Sequence, residues 1–386
     1  MKCVSALSTA TNTEDALREV LECATGAMSE GGPADLVLVF ASMHHADALG
    51  RIAAEVRRRG LGRHVLGCTG ESIVGEDREV EGAAALSLWS IAMPGARLEP
   101  IRLSFGDGQF AGWPEWSTGP NPPPVILLGD PFSFPTDAFL KRLHEASPGT
   151  RVVGGMASGS GSPGGNRLVL DDQVFEDGAV AIQVDGPLTI RTVVSQGCRP
   201  IGRPMVITKA EGNLIREVGR RPALEVLREL FEILPPDDQR RVQEGLHVGR
   251  VINEYQEGFG RGDFLIRNVI GAEAGGAIAI ADAVRVGQTV QFHVRDADSA
   301  DEDLRALLQN EQEGRPDSGV SGALLFSCNG RGSRLFPGPN HDVATIREIL
   351  GPIPVAGFFA MGEIGPVGGQ NFVHGYTASI VLFEEA

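Results

Sequence analysis

A segment that occurs three times constrains this chain more than any other feature. Each copy has an apolar strand, a polar turn and a short helix, followed by a Gly-rich strand exit and a second strand that begins at a glycine. In the first copy, DLVLVFA (Asp35 to Ala41) leads to HVLGCTGESIVG (His64 to Gly75) and then EVEGAAALSLWS (Glu79 to Ser90). In the second, VILLGDP (Val125 to Pro131) leads to RVVGGMASGSG (Arg151 to Gly161) and QVFEDGAVAIQV (Gln173 to Val184). In the third, ALLFSCNGRG (Ala323 to Gly332) leads to IPVAGFFAMGEIG (Ile353 to Gly365) and NFVHGYTASIVLF (Asn371 to Phe383), with Gly82, Gly178 and Gly375 in equivalent places. Such a repeat sets three Gly-rich strand-end loops in one molecule, where binding and catalytic groups usually sit.

The repeated strand–helix–strand order predicts an α/β protein with mixed sheets flanked by helices on their outer faces, a layered α/β/β/α arrangement being one solution. Start and stop signals place its helices. Thr13 or Asp15 opens one with Leu17, Val20, Leu21 and Ala24 on a face, and Asp47 opens another that Gly60 closes. Thr136, Pro222 and Asp342 open three more, the last stopped by Gly351 and Pro352. QTVQFHVR (Gln288 to Arg295) alternates as a strand, and DADSADED (Asp296 to Asp303) reads as a solvated loop before the helix DLRALLQN. Trp113 and Trp116 imply that the Gly/Pro-rich Phe105 to Pro124 segment packs down. A stretch from about Gln196 to Ser318 lies outside the repeat. A boundary near Gly219 divides the chain into residues 1–219, with two copies, and 220–386, with the third.

Charge and cysteine usage narrow the function. The 386 residues carry 34 basic and 50 acidic side chains, a net −16, which repels phosphate backbones and anionic membranes; neither nucleic acid nor membrane is expected as a partner. The Arg-rich stretch from Arg191 to Arg228 reads as a solvated face with ion pairs to nearby acids. Five widely spaced cysteines without a C-x-x-C pair argue against a disulfide framework or zinc site. The N-terminus lacks the apolar core of a signal peptide, and no apolar run nears the roughly 20 residues of a membrane span. A cytoplasmic protein without a cofactor is expected.

The ordered set GCTGESIVG, EVEGAAALSL and VVGGMASG, then RPALEVLREL, FLIRNVIG, LLFSCNGRG and PVAGFFAMGEIGPVGG, resembles the FIST family in both its N-terminal and C-terminal parts, over roughly residues 33 to 384. The resemblance implies an intracellular sensory or signal-transduction module that binds a small ligand, with amino acids proposed for the family. With no length for an output domain, signalling through a protein partner is implied.

Three loops offer the chemistry for such a ligand. NGRGS (Asn329 to Ser333) follows an apolar strand, and its Gly330 and Gly332 permit an amide nest for an anion, with Arg331 able to clamp a carboxylate. A tight turn with an exposed arginine is the alternative. GCTGES offers Cys68, Thr69 and Glu71; the third copy offers Glu363, Asn371 and His374. Glu71 or Glu363, each after a glycine, would receive an ammonium group, or else cap helices and pair with arginines. Cys68 and Cys328 could be nucleophiles if His374, His341 or His64 came within reach, although a cysteine beside apolar strand residues is more often a core residue. His44 and His45 lack further metal ligands nearby and read as solvent-exposed. Three functions stay open: a sensor of an amino acid or small carboxylate, a cysteine-dependent enzyme using Cys328 or Cys68, and a protein-interaction scaffold.

Overall fold

Each copy builds the same three-strand core, and the reason lies in its continuous apolar runs, which suit strands buried on both faces. The computed structural model describes residues 1–28, 33–256, 258–260, 262–273, 275–313 and 319–385; Ser318, at the end of the non-repeat stretch, lies outside them. In the first copy Ala34–Ser42 pairs in parallel with Gly62–Gly70 and antiparallel with Leu86–Ala92. Val125–Gly129, Val152–Met156 and Ala179–Asp185 repeat this in the second. Gly322–Cys328, Val355–Ala360 and Thr377–Glu385 repeat it in the third.

The three cores form three separate sheets, and each sheet is completed by a hairpin from another copy. The first sheet takes Leu168–Leu170 and Gln173–Phe175 from the second copy. The second takes Glu363–Val367 and Gln370–His374 from the third. The third takes Ser72–Gly75 and Arg78–Glu81 from the first. This cyclic exchange brings residues about 260 positions apart in sequence into contact, for example the Glu79 carboxylate of the hairpin with the Val343 amide of the third-copy helix His341–Leu350.

Side-chain alternation then sorts two kinds of core. Leu36, Leu38 and Phe40, Ile126 and Leu128, and Leu324 and Phe326 point into one shared core. There Phe358 lies 5.3 Å from Phe40 and 5.7 Å from Phe326, ring centre to ring centre. The intervening residues face outward under helices. Val37 and Val39 pack with Leu17 and Ile52 of Thr13–Met28 and Leu49–Arg58. Val125 and Leu127 pack with Phe139 of Thr136–Ala146, where Trp113 and Trp116 join the aromatic cluster. Ala323 and Leu325 pack with Val343 and Ile346 of His341–Leu350. Helices therefore cover the outer faces as expected, around three sheets.

One glycine per copy permits the parallel pairing. A Cβ on Gly67 would lie 2.4 Å from the Val39 carbonyl oxygen, on Gly154 1.9 Å from that of Leu127, and on Gly357 1.8 Å from that of Leu325. Gly82 and Gly178 both adopt φ of +64°, but in the third copy Tyr376 takes the left-handed conformation at φ +64°, one place after Gly375.

Two compact units emerge. The first comprises Met1–Val194, Leu304–Val373 and Thr377–Ala386; the second comprises Ser195–Asp303 and His374–Tyr376. The second unit holds a fourth, antiparallel sheet ordered Cys198–Glu211, Thr289–Arg295, Leu246–Val251, Phe264–Glu273, Ala277–Ile280, Leu214–Val218 and Arg221–Pro222. The first of these strands also pairs with Leu214–Val218, which closes the sheet on itself. The helix Ala223–Ile233 follows Pro222 and half-buries Leu227 and Leu230 on this sheet's core.

Two local expectations are corrected, and a third is met. The acidic run is helical from Ala297, because the Asp296 carboxylate accepts the Ser299 amide at 3.0 Å and caps the helix Ala297–Glu313. His45 is buried, its Nδ1 2.9 Å from Thr13 Oγ1, whereas His44 is exposed. Within the Arg-rich stretch the expected ion pairs form: Arg199 meets Asp238 and the buried Asp296, and Arg221 meets Glu225 and Glu229 in solvent.

Candidate functional site

The strand ends of the first unit converge through backbone-directed bonds. Ser158 of the second copy donates its amide to the Thr69 carbonyl at 3.1 Å and its hydroxyl to the Phe359 carbonyl, and accepts the Glu71 amide at 2.8 Å. Asn329 donates its amide to Ala360 O at 3.1 Å. A serine in the Gly-rich second-copy loop thus ties the first and third copies together.

Arg331 is the centre of the resulting cluster, and it is buried completely rather than exposed on a turn. Its guanidinium forms a two-pronged ion pair with Asp342, Nε to Oδ2 at 2.8 Å and Nη2 to Oδ1 at 2.7 Å. Asp342 sits at the start of the helix His341–Leu350 and also accepts the Ser327 hydroxyl at 2.9 Å. His341 Nδ1 lies 3.0 Å from Asp342 Oδ1 while its ring stacks on Phe336 at 3.4 Å, and the Arg331 guanidinium lies 5.2 Å from that same phenyl ring.

The exchanged first-copy segment adds three carboxylates, Glu79 and Glu81 from the hairpin and Glu71 from the residue before it. Glu79 caps the helix by accepting the Val343 amide on Oε1 at 2.8 Å. Glu81 accepts the Ser333 amide at 2.9 Å and the Ser333 hydroxyl at 2.6 Å, so an internal carboxylate fills the NGRGS nest; Gly332, at φ +58°, leaves room for it. Glu71 is half-buried and pairs with Arg334, whose other nitrogen reaches Asn329 O at 2.8 Å. Its counterpart after the equivalent glycine, Glu363, is fully buried, with Oε2 accepting the Thr377 amide at 3.1 Å and hydroxyl at 2.8 Å.

Burial and charge set the protonation states. Burial, then the neighbouring Asp342 charge, pushes the Glu79 carboxyl up to about 8, against the Val343 amide and Arg331. Burial likewise pushes Glu363 up to about 8, against its Thr377 bonds and Arg331. Burial would raise Asp342 as well, but the Arg331 charge and hydrogen bonds outweigh it and hold that carboxyl well below its usual range. Near neutral pH Arg331 and Asp342 therefore carry opposite charges while Glu79 and Glu363 are mainly protonated. Within this cluster, among the described residues, four buried polar atoms carry no hydrogen bond: Arg331 Nη1, Asn329 Oδ1, Glu79 Oε2 and Glu363 Oε1.

A pH dependence of stability follows. Folded Glu79 and Glu363 keep protons that the unfolded chain releases above about pH 4.3, so their contribution is present below that value and is lost as pH rises through about 8. The slope approaches about 1.4 kcal/mol per pH unit per carboxyl. Asp342 acts oppositely: its stabilisation is lost as pH falls below the usual carboxylate range. Urea unfolding across pH 4 to 9 should show stability declining above about pH 5, with a flatter decline in Glu363→Gln. An unchanged slope in that variant would remove Glu363 as a cause.

The other sequence candidates lie outside this cluster. Cys68 is a core residue between Phe40 and Leu168, and burial pushes its thiol well up. Thr69 accepts the Arg167 amide on its hydroxyl at 3.1 Å. Asn371 bridges Thr150 O at 2.7 Å and the Val152 amide at 2.9 Å. His374 falls in the second unit. Glu79, Glu81 and Phe336 were not singled out from sequence. The Glu-Val-Glu alternation of Glu79 to Glu81 was visible, but not the sheet to which its hairpin would cross.

The first unit is thus a three-sheet α/β assembly whose strand ends enclose an ionisable cluster. The chain belongs to the FIST family: residues 35–221 match the FIST N domain and residues 223–366 the FIST C domain. FIST domains are associated with sensory roles in signal transduction. Over 376 residues the chain is 42% identical to uncharacterized protein Rv0628c of Mycobacterium tuberculosis, covering 96% of this chain and 97% of the relative. It is 40% identical over 378 residues to uncharacterized protein Mb0898c of Mycobacterium bovis, covering 96% of each. No helix among the described residues is long and apolar enough to cross a membrane.

Proposed function

We propose that this protein is a cytoplasmic sensor that binds an amino acid or small carboxylate at the strand end of its third copy and passes the signal to a protein partner. The supporting observation is the set of unpartnered buried atoms there: a cationic donor, Arg331 Nη1, faces the same cluster as the acceptors Asn329 Oδ1 and Glu363 Oε1. A buried polar group without a partner costs about 1–3 kcal/mol, so a ligand carrying both a carboxylate and a donor recovers that cost. Arg331 takes the ligand carboxylate on its remaining edge, and Asn329 and Glu363, whose carboxyl gives up its proton as the cation arrives, take the ammonium or another donor. Gly332 and Ser333 shape the loop from beneath, through Glu81, rather than touching the ligand. Cys328 borders the same site through its contact with Glu363.

Thermal unfolding against free amino acids and small carboxylates tests this. A ligand at 100 times its dissociation constant adds about 2.7 kcal/mol, a shift of a few degrees. Asn329→Ala and Glu363→Gln should fold normally and lose most of that shift. An undiminished shift in both variants would place the ligand elsewhere, and no shift across the panel would favour the scaffold reading.

A further inference from the structure

We propose that Cys328 is a covalent capture site, its thiol adding reversibly to the carbonyl carbon of a small 2-oxo or aldehyde acid while Glu363 relays the proton and Arg331 holds the carboxylate. The inference rests on the ligand assignment above for Arg331 and Glu363, and adds bond formation to it.

Cys328 differs from the other cysteines in its surroundings. It ends the central strand Gly322–Cys328 and is half-exposed, whereas Cys68 and Cys198 are buried. The Gly330 amide donates to its Sγ at 3.5 Å. The guanidinium groups of Arg331 and Arg334 couple electrostatically to this sulfur and supply positive potential there. The fully buried Glu363 carboxyl lies within reach of the thiol; Thr377 fixes its Oε2, and Oε1 carries no other hydrogen bond. Arg331 Nη1, equally buried and unpartnered, gives the electrophile's carboxylate a donor. A nucleophile, a proton-carrying group and a carboxylate donor thus occupy one strand end, the arrangement that addition to a carbonyl needs.

The step is a balanced addition. The S–H bond breaks and an S–C bond forms; the C=O double bond becomes C–O–H. Glu363 gives its proton to the developing alkoxide and regains one from the thiol. No electrons enter or leave, no group departs, and the reverse step releases the ligand.

The test uses the full chain with Cys23→Ser, since Cys23 is the exposed cysteine, and 13C-labelled glyoxylate as probe. A sulfur-bonded tetrahedral carbon should appear by NMR and vanish on adding Cys328→Ser. Glyoxylate at ten times its dissociation constant should slow iodoacetamide alkylation of Cys328 about tenfold. Glu363→Gln should slow adduct formation and flatten its pH profile without lowering the melting temperature in the absence of probe. Equal thermal shifts with and without Cys328, and no sulfur-bonded carbon, would overturn capture while leaving non-covalent binding intact. No shift and no adduct in any variant would overturn capture and this ligand class together.

Discussion

Arg331→Ala is expected to destabilise the protein by about 3–5 kcal/mol, because it leaves the fully buried Asp342 carboxylate without its counter-charge. A surface arginine in a turn would cost well under 1 kcal/mol, so the magnitude distinguishes the two environments. Arg331→Lys should recover only part of the loss, since an ammonium cannot reproduce the paired Nε and Nη2 contacts. The double change Arg331→Met with Asp342→Leu should be more stable than Arg331→Ala, though still below wild type, because the Ser327 hydroxyl and His341 lose their acceptor. Urea unfolding at pH 7 measures all three. A loss below about 1 kcal/mol for Arg331→Ala would contradict the buried pair. The expected instability also makes that substitution a poor test of ligand binding, which is why Asn329 and Glu363 carry that role.

Gly357→Ala should prevent stable folding, or cost more than about 4 kcal/mol. The added methyl would lie 1.8 Å from Leu325 O and 2.7 Å from Leu325 C, both backbone atoms of a central strand flanked by neighbours on each side. No rotamer change relieves that contact; the parallel pairing itself must open. Gly154→Ala, 1.9 Å from Leu127 O, should behave alike. Gly82→Ala serves as the control: it has nothing within 4 Å, and only its φ of +64° opposes a side chain, a cost of about 1 kcal/mol. Soluble yield and thermal melts of the three variants should rank Gly82→Ala far above the other two. Comparable stability would mean that close strand approach is not what these glycines provide.

Much of the fold was legible because it depends on local pattern. The runs in DLVLVFA, VILLG and ALLFS gave strands buried on both faces, and Thr13, Thr136 and Asp342 opened helices within a residue or so of where these begin. The candidate site was legible in part. NGRGS and Glu363 were found by residue chemistry, and both lie in the cluster. Their environments were not legible. Glu71 and Glu363 look equivalent in sequence, yet one pairs at the surface with Arg334 and the other is buried and mainly protonated. Burial is a property of what folds over a residue: Thr377, Arg331 and Cys328 close in on Glu363, while Glu71 reaches out to Arg334. The acidic run was misread for a similar reason: a single capping carboxylate, Asp296, outweighs the mutual repulsion of the charges that follow.

What the sequence by itself determined is the repeating unit: apolar periodicity, helix signals and the close-approach glycines act over a few residues and specify the same three-strand core three times. Only the tertiary structure decided which hairpin completes which sheet. Backbone hydrogen bonds at a sheet edge can pair with any strand of suitable length, so that choice rests on how the three inner faces share one core. By sending the Glu79–Glu81 hairpin to the third copy, that packing places two extra carboxylates around Arg331 and makes a buried ionisable cluster from residues about 260 positions apart.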